Sequence, residues 1–257
     1  MHELEAVYTV WLREMIRYFR AKERILSSLA MPIFWLLVFG SSIRAPVFGG
    51  EIDYTSFIAP GVIVMTIMFT SMHSGISVIW DRELGFMKEM LVAPVSRISI
   101  VIGKSLGGAT TALIQGTIIL LLIFGIQNLS GEYFSGVRID ISSFLIGLPL
   151  MVLIGLGLVG IGVAIASLLD TLEGFGMIMN FVIMPMFFLS GALFPINNLP
   201  EWFRVITYID PVTYGVESLR FVMTGFSSIN VILSFTVVLA FTCSMLLVAT
   251  HLFNKRS

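Results

Sequence analysis

The sequence predicts an all-α membrane protein. Six transmembrane helices are expected, with an N-terminal interfacial helix, a cytoplasmic helix between the second and third spans, and short re-entrant helices on the outer side. Three observations carry this expectation. Of 257 residues, 57% are hydrophobic and 12% charged, half the charge of an ordinary soluble domain, and mean hydropathy is +0.97. Six charge-free stretches, 25–43, 57–79, 105–126, 141–169, 174–193 and 229–253, come near the roughly 20 apolar residues that cross hydrocarbon as a helix. They are continuous rather than alternating, which argues against a barrel. Finally, 11 of the 15 Lys and Arg residues fall on the side that holds both ends of the chain and the 80–104 loop. The positive-inside rule places that side in the cytoplasm. The whole chain, 1–257, reads as one membrane domain in an inner (plasma) membrane.

Residues 1–24 show two faces. Leu4, Val7, Trp11, Met15 and Tyr18 recur at helical spacing, and Arg13, Arg17, Arg20 and Arg24 form a basic stripe. This predicts an interfacial helix with its apolar face in the acyl boundary and its arginines toward anionic lipid; a partner-docking surface is compatible with it. No cleavable signal peptide is expected, because these residues are charged throughout. The second span contains His73 among Thr70, Ser71 and Ser74. After it comes the densest charge in the chain, WDRELGFMKEMLVAPVSR, residues 80–97. Asp81 is a candidate N-cap, Phe86, Met87, Met90 and Leu91 make an apolar face, and Pro94 ends the element. A helix over 81–96 could lie on the membrane or insert as a knob into a partner's groove. The residues leave both open.

Small residues stripe the third span at Gly103, Gly107 and Thr111 and at Gly108, Ala112 and Gly116, and the fourth at Gly160 with Ala164 and Gly162 with Ala166. Such stripes allow close helix approach. Gln115 and Asn180 suit interhelical hydrogen bonds. Asp170 and Glu173 read as caps on a tight turn. Pro185 should kink the fifth span. Beyond it, Gly191, Pro195 and Asn197–Asn198 suggest a broken end. Asn198 could cap one short helix, and Asp210 with Pro211 starts another through Glu217 and Arg220. Cys243, the single cysteine, reads as a small packing residue.

Chemistry is sparse. His2, His73 and His251 have no second ligand at metal spacing, so neither a metal site nor a catalytic residue is expected. GKS at 103–105 lacks the earlier glycine of a phosphate loop, since position 98 is Ile98. The span interiors hold almost no ionisable group, which argues against proton-driven transport. A channel is disfavoured by the lack of charged rings or a carbonyl filter motif. A membrane enzyme would need a carboxylate pair, and Asp170 with Glu173 is the nearest.

The 81–97 segment resembles the cytoplasmic coupling region of ABC-2 transporter permeases, especially the drug-resistance and nodulation-factor export branch. The matching positions are Asp81, Arg82, Glu83, Gly85, Glu89, Leu91, Pro94, Val95, Ser96 and Arg97, followed by Gly103–Lys104. A second likeness, FLSGALFPINNLPEWFRVITYIDPVTYGVESLR over 188–220, resembles the family's fifth span, re-entrant segment and second outer helix. Phe86–Met87 departs from the smaller polar residues common in relatives. The resemblance implies a permease, not an enzyme, that pairs with a second copy and with ABC ATP-binding subunits. ATP and magnesium would sit on those subunits, with no cofactor in this chain. It implies that Asp81, Arg82, Glu83, Gly85, Met87, Glu89, Leu91, Pro94 and Arg97 couple the ATPase to the spans. It also implies that spans two and five line the substrate path, with Met65, Phe69, His73, Asn180, Met184 and Phe188 as candidates. Cargo would be amphiphilic: drug-like, lipid or lipid-linked glycan, with a polysaccharide as the alternative. Lipid is an expected partner and nucleic acid is not.

Overall fold

The computed structural model describes residues 2–42, 46–47, 52–92, 94–130, 134, 136–137 and 140–256. Helices dominate: α1 (His2–Arg20), α2 (Lys22–Ser42), α3 (Tyr54–His73), α4 (Ile76–Glu83), α5 (Phe86–Val92), α6 (Arg97–Ser130), α7 (Ile141–Leu168), α8 (Leu172–Leu189), α9 (Glu201–Ile209), α10 (Pro211–Thr224) and α11 (Val231–Arg256). A two-residue antiparallel pair, β1 (Pro46–Val47) and β2 (Ile52–Asp53), precedes α3. Five stretches are long and apolar enough to cross a membrane: Tyr54–Glu83, Arg97–Leu129, Ser143–Leu168, Leu172–Leu189 and Val231–Lys255. α2 carries the apolar stretch Ile25–Phe39, after Lys22 and Glu23 open the helix.

Two of these helices run past the charge-free limits that the sequence suggested. α6 starts at Arg97 rather than 105, and α4 continues through Asp81 to Glu83. The reason is shared. Lys104 and Asp81 neutralise each other at 2.5 Å, so neither charge ends its helix.

α3 is the centre of the bundle. Phe57, Ile58, Ala59, Val62, Ile63, Ile67 and Met68 are fully buried, and α2, α6, α7, α8 and α10 surround it. Asp53 caps it, accepting from the Ser56 N–H at 3.2 Å. Glycine allows its closest approach to α7: a Cβ on Gly75 would strike the Gly162 carbonyl, and one on Gly162 the Met72 carbonyl. Gly160 meets Met245 of α11 in the same manner. Gln115 of α6 accepts a hydrogen bond from Thr70 of α3, as its type suggested. Aromatics tie α2 to α8, with Trp35 stacked on Phe39 at 4.8 Å and edge-on to Phe187 and Phe188. Such pairs add about 0.5–1.5 kcal/mol each beyond their burial.

At the end away from the termini, Asp210 caps α10 as expected, accepting from the Val212 N–H at 2.9 Å, and Pro211 follows it. Asn198 is not the cap of α9. It lies in a 3₁₀ turn, Ile196–Asn198, and Pro200 takes the cap position. Glu217 and Arg220 face inward as a fully buried pair. Arg220 also donates to the Phe57 and Gly191 carbonyls and sits 3.9 Å from the Phe57 ring centroid. Glu217 accepts from Ser227 and from the Ser228 N–H. This knot fastens α10 to the start of α3, the end of α8 and the turn into α11. Cys243 is exposed, so it is not a core packing residue.

Candidate functional site

The charge-rich segment folds back on the molecule at the end that carries the termini. Asp81, on the last turn of α4, is fully buried. Its Oδ1 accepts from Arg13 at 2.6 Å and Arg17 at 3.2 Å, and its Oδ2 from Lys104 at 2.5 Å and Arg13 at 3.2 Å. Lys104 also donates to Ser77 at 3.2 Å. Glu14 stands 3.6 Å from Lys104 and 3.8 Å from Arg17. A carboxylate is buried only when charge and hydrogen bonds compensate it, and here α1 and α6 supply them. The basic stripe of α1 therefore turns Arg13 and Arg17 inward to Asp81 rather than outward to lipid.

The rest of α1 follows. Its contacts advance in step along α6: Glu3 at Ser96 and Ser99, Val10 at Gly103, Glu14 at Gly107. Hydrogen bonds from Ser99 and Ser96 hold the Glu3 carboxyl below the usual carboxylate range. Trp11 donates to Thr110, and Met15 is buried. The exposed apolar stripe is Leu4, Tyr8, Leu12, Ile16 and Phe19; of the stripe read from sequence, only Leu4 belongs to it. Gly103, part of the GKS triplet, is filled by Val10 inside helix α6 and forms no phosphate cradle.

Asp81 is not an N-cap, and no helix spans 81–96. α4 ends at Leu84, and Gly85 reverses the chain at φ +80°, a conformation that costs any residue with a Cβ. The seven-residue α5 follows. Met87 is buried beneath it and Met90 packs against the core, while Arg13 lies 5.1 Å from the Phe86 ring centroid. Glu83, Leu84, Phe86, Glu89, Val92 and Pro94 stay exposed. Arg82 clamps the α7–α8 turn, donating to the Leu169 carbonyl and to Asp170, both at 3.0 Å. Asp170 is thus an ion-pair partner, and Thr171 caps α8. Arg97 donates to the Asn254 carbonyl of α11 at 2.8 Å.

Behind this end lies a cavity of about 490 Å³, walled by α1, α2, α3, α4 and α6. Met31, Pro32, Met65 and Phe69 form its apolar part, and Glu14, Arg17, Ser28 and His73 its polar part. Among the described residues, no group of His, Cys, Asp and Glu side chains gathers to hold a metal ion.

The family model for ABC-2 type transporters matches residues 5–224, covering α1, the Asp81 anchor, α5 and the bundle through α10. The chain belongs to the ABC-2 type transporter family. It is 29% identical over 253 residues to nodulation protein J of Rhizobium leguminosarum bv. viciae, covering 96% of this chain and 93% of that protein. It is 27% identical over 223 residues to a putative transport permease, ycf38, of Cyanophora paradoxa, covering 85% and 74%. It is 29% identical over 189 residues to the probable multidrug ABC transporter permease YbhR of Escherichia coli K12, covering 71% and 47%. This ABC-2 chain is a multi-pass membrane transporter subunit.

The residues chosen from sequence in this ABC-2 protein divide. Glu83, Glu89 and Pro94 are exposed at the termini end, whereas Asp81 and Met87 are buried, and Arg82 and Arg97 are engaged by other elements of the same chain. The Leu91 side chain lies outside the described set. Met65, Phe69 and His73 line the cavity. Asn180, Met184 and Phe188 do not; they are exposed on α8 with Met177 and Phe181. Sequence reasoning missed Arg13, Arg17, Glu14 and Lys104 as Asp81's companions. One signal was available: a lone Lys at the mouth of an apolar span needs a buried anion.

Proposed function

We propose that this chain is the permease subunit of an ATP-driven exporter, and that a separate ATP-binding subunit engages it at α5 and the flanking turns. The observation that carries the reading is the split of the 81–97 segment. One side is pinned to α1, α6 and α7–α8 by Asp81, Met87 and Arg82, and the other leaves Glu83, Leu84, Phe86, Glu89 and Val92 exposed. An amphipathic knob on a stiff base suits a partner that pushes. Asp81 then acts as an anchor for the coupling element, not as a contact to the ATPase. ATP and magnesium belong to the partner.

In the same reading, the termini lie in the cytoplasm of an inner-membrane protein and α2 serves as a sixth span. The exposed α8 face of Met177, Phe181, Met184 and Phe188 meets a second copy. The cargo is an amphiphile moved outward. The name of one relative, a probable multidrug ABC transporter permease, supports a role in ABC transport.

The test is purification of the tagged chain from its native membrane in mild detergent, with the partners identified by mass spectrometry. The expected result is a stoichiometric ABC ATPase that crosslinks to a photoreactive residue at position 89. A chain that purifies without any ATPase, even after crosslinking in the membrane, overturns the proposal.

A further inference from the structure

Two hollows meet at the elbow where α1 ends and α2 begins. The first is the cavity of about 490 Å³ walled by α1, α2, α3, α4 and α6. The second is a shallow depression on α1, lined by Arg13, Ile16, Arg17, Arg20 and Ala21. Arg17 and Ala21 line both, so the two adjoin. Their chemistries differ. Met31, Pro32, Met65 and Phe69 make the cavity apolar. Four hydroxyls on its wall already donate within the protein: Ser28 to the Ile25 carbonyl, Ser74 to Ser71, Thr111 to Gly108 and Thr70 to the Gln115 side chain. A hydrocarbon chain laid against them costs no hydrogen bond. Along α2 the wall runs from Ala21 to Pro32, about 16 Å at a helical rise of about 1.5 Å per residue. One leaflet's share of the hydrocarbon core is about 15 Å. Met31 is half exposed, so the chamber reaches the outer surface of α2.

The depression is basic. Four cations, Arg13, Arg17, Arg20 and Lys104, gather with two carboxylates, Asp81 and Glu14. Two positive charges are left over. Arg13 and Arg17 are held on Asp81, yet 31% and 28% of their side chains stay exposed, so their field reaches the surface. Arg20 is different. It is exposed and pairs with no carboxylate among the described residues. Lys22 and Glu23, both exposed at the start of α2, cancel each other. The level is that of a headgroup: Arg20 and Lys104 stand just before the charge-free stretches 25–43 and 105–126. A basic pocket between helices at that depth suits an anionic headgroup.

We propose that the elbow holds one anionic phospholipid from the leaflet on the termini side. Its phosphate sits on Arg20, within the field of Arg13 and Arg17, and one acyl chain enters the chamber between α2 and α3. The second chain lies on the outer surface of α2, where Leu26, Met31 and Phe34 are exposed. A free phosphate would use the depression and leave the chamber, and a neutral lipid would use the chamber and leave the depression. An anionic lipid uses both. The site rests on the membrane-spanning architecture of the family and not on export, and it lies apart from the exposed faces of α5 and α8.

The experiment titrates dioleoyl phosphatidylglycerol onto the full chain in mild detergent and counts retained lipid by native mass spectrometry. Dioleoyl phosphatidylcholine is the neutral comparison, and inorganic phosphate in large excess is the competitor. Arg20→Gln removes the exposed charge, Ser28→Trp fills the chamber, and Lys255→Gln is the control, an exposed cation beside Asn254 near the start of α6. The expected result is one phosphatidylglycerol per chain, held about fivefold or more tighter than phosphatidylcholine and not displaced by phosphate. Arg20→Gln should raise its Kd about fivefold, the equivalent of about 1 kcal/mol, Ser28→Trp about tenfold, and Lys255→Gln not at all. If Ser28→Trp alters the thermal melt, Arg20→Gln decides. Equal affinity for the two lipids, unchanged binding in Arg20→Gln or an equal loss in Lys255→Gln overturns the site, and displacement by phosphate makes it a site for a free anion instead. The titration requires no ATPase. A chain that couples to an ATPase but fails here loses the lipid site alone, and a chain that holds the lipid but has no ATPase loses the transport reading.

Discussion

At the scale of single residues, Asp81 shows how a charge can change meaning on folding. In the sequence it heads a charged loop and looks like a cap facing water. In the fold it has no exposed surface and is held by three cations. Removing one partner of such a group leaves the others buried and uncompensated, at a cost of roughly 3–5 kcal/mol. Asp81→Asn is expected to lower the thermal midpoint of the purified chain by several degrees, measured by differential scanning fluorimetry in detergent. Asp210 behaves in the opposite sense. Burial pushes its pKa up from 3.8 to about 7, opposed by its bond from the Val212 N–H, and its Oδ2 has no hydrogen-bond partner. The folded chain therefore retains a proton that the unfolded chain releases between about pH 4 and pH 7. Stability falls as pH rises through that window and is level above it. Asp210→Asn keeps a good cap and removes the ionisation. Melts at pH 5 and pH 8 should converge in the variant and differ in the native chain.

At the scale of elements, the small-residue stripes were legible and their partners were not. Repeats of glycine and alanine announce close packing, but only the fold assigns Gly75 and Gly162 to each other, Gly103 and Gly107 to α1, and Gly160 to α11. Gly162→Ala would press a methyl into the Met72 carbonyl, a backbone atom that cannot swing aside. The variant is expected to lose at least as much as overpacked cores usually do, about 1–3 kcal/mol. A lower thermal midpoint and lower yield of monodisperse protein by gel filtration would register it, and an unchanged midpoint would show that α3 and α7 stand further apart. α1 teaches the same lesson. Its periodicity revealed an amphipathic helix, yet the face turned inward carries Val10, Glu14 and Met15, and the face left open carries Tyr8, Leu12, Ile16 and Phe19. Two apolar stripes on one helix cannot be ranked without knowing what lies beside it.

At the scale of the whole molecule, helices from across the bundle converge on the termini end through three sets of polar contacts. α4 meets α1 and α6 at Asp81, the α7–α8 turn meets α4 at Arg82, and α11 meets α6 at Arg97. A force applied at α5 therefore reaches the bundle through packed helices and ion pairs rather than through a loose loop. Reversing charge on the exposed side tests this without disturbing the anchor. In a complex with the proposed ATPase subunit, the Glu83→Lys, Glu89→Lys chain is expected to keep native membrane yield and thermal midpoint. It should lose about tenfold or more of substrate-stimulated ATP hydrolysis, some 1.4 kcal/mol of coupling. Unchanged stimulation would place the partner elsewhere.

Composition and spacing alone determined that the chain is helical, apolar and membrane-spanning, that its charge gathers on one side, and that the 81–97 segment is a special element. These properties are local: hydropathy, helical period and turn chemistry act within a few residues of each other. Only the tertiary structure decided that Asp81 points inward, that Gly85 splits the expected helix, that Met65, Phe69 and His73 share a cavity while Asn180, Met184 and Phe188 do not, and that Glu14 joins Lys104 and Arg17 beside Asp81. Most of those depend on helix rotation and on which charge finds which, and contacts such as Arg13 and Arg17 with Asp81 and Arg82 with Leu169, 64 to 87 positions apart in the chain, lie beyond the reach of any local pattern.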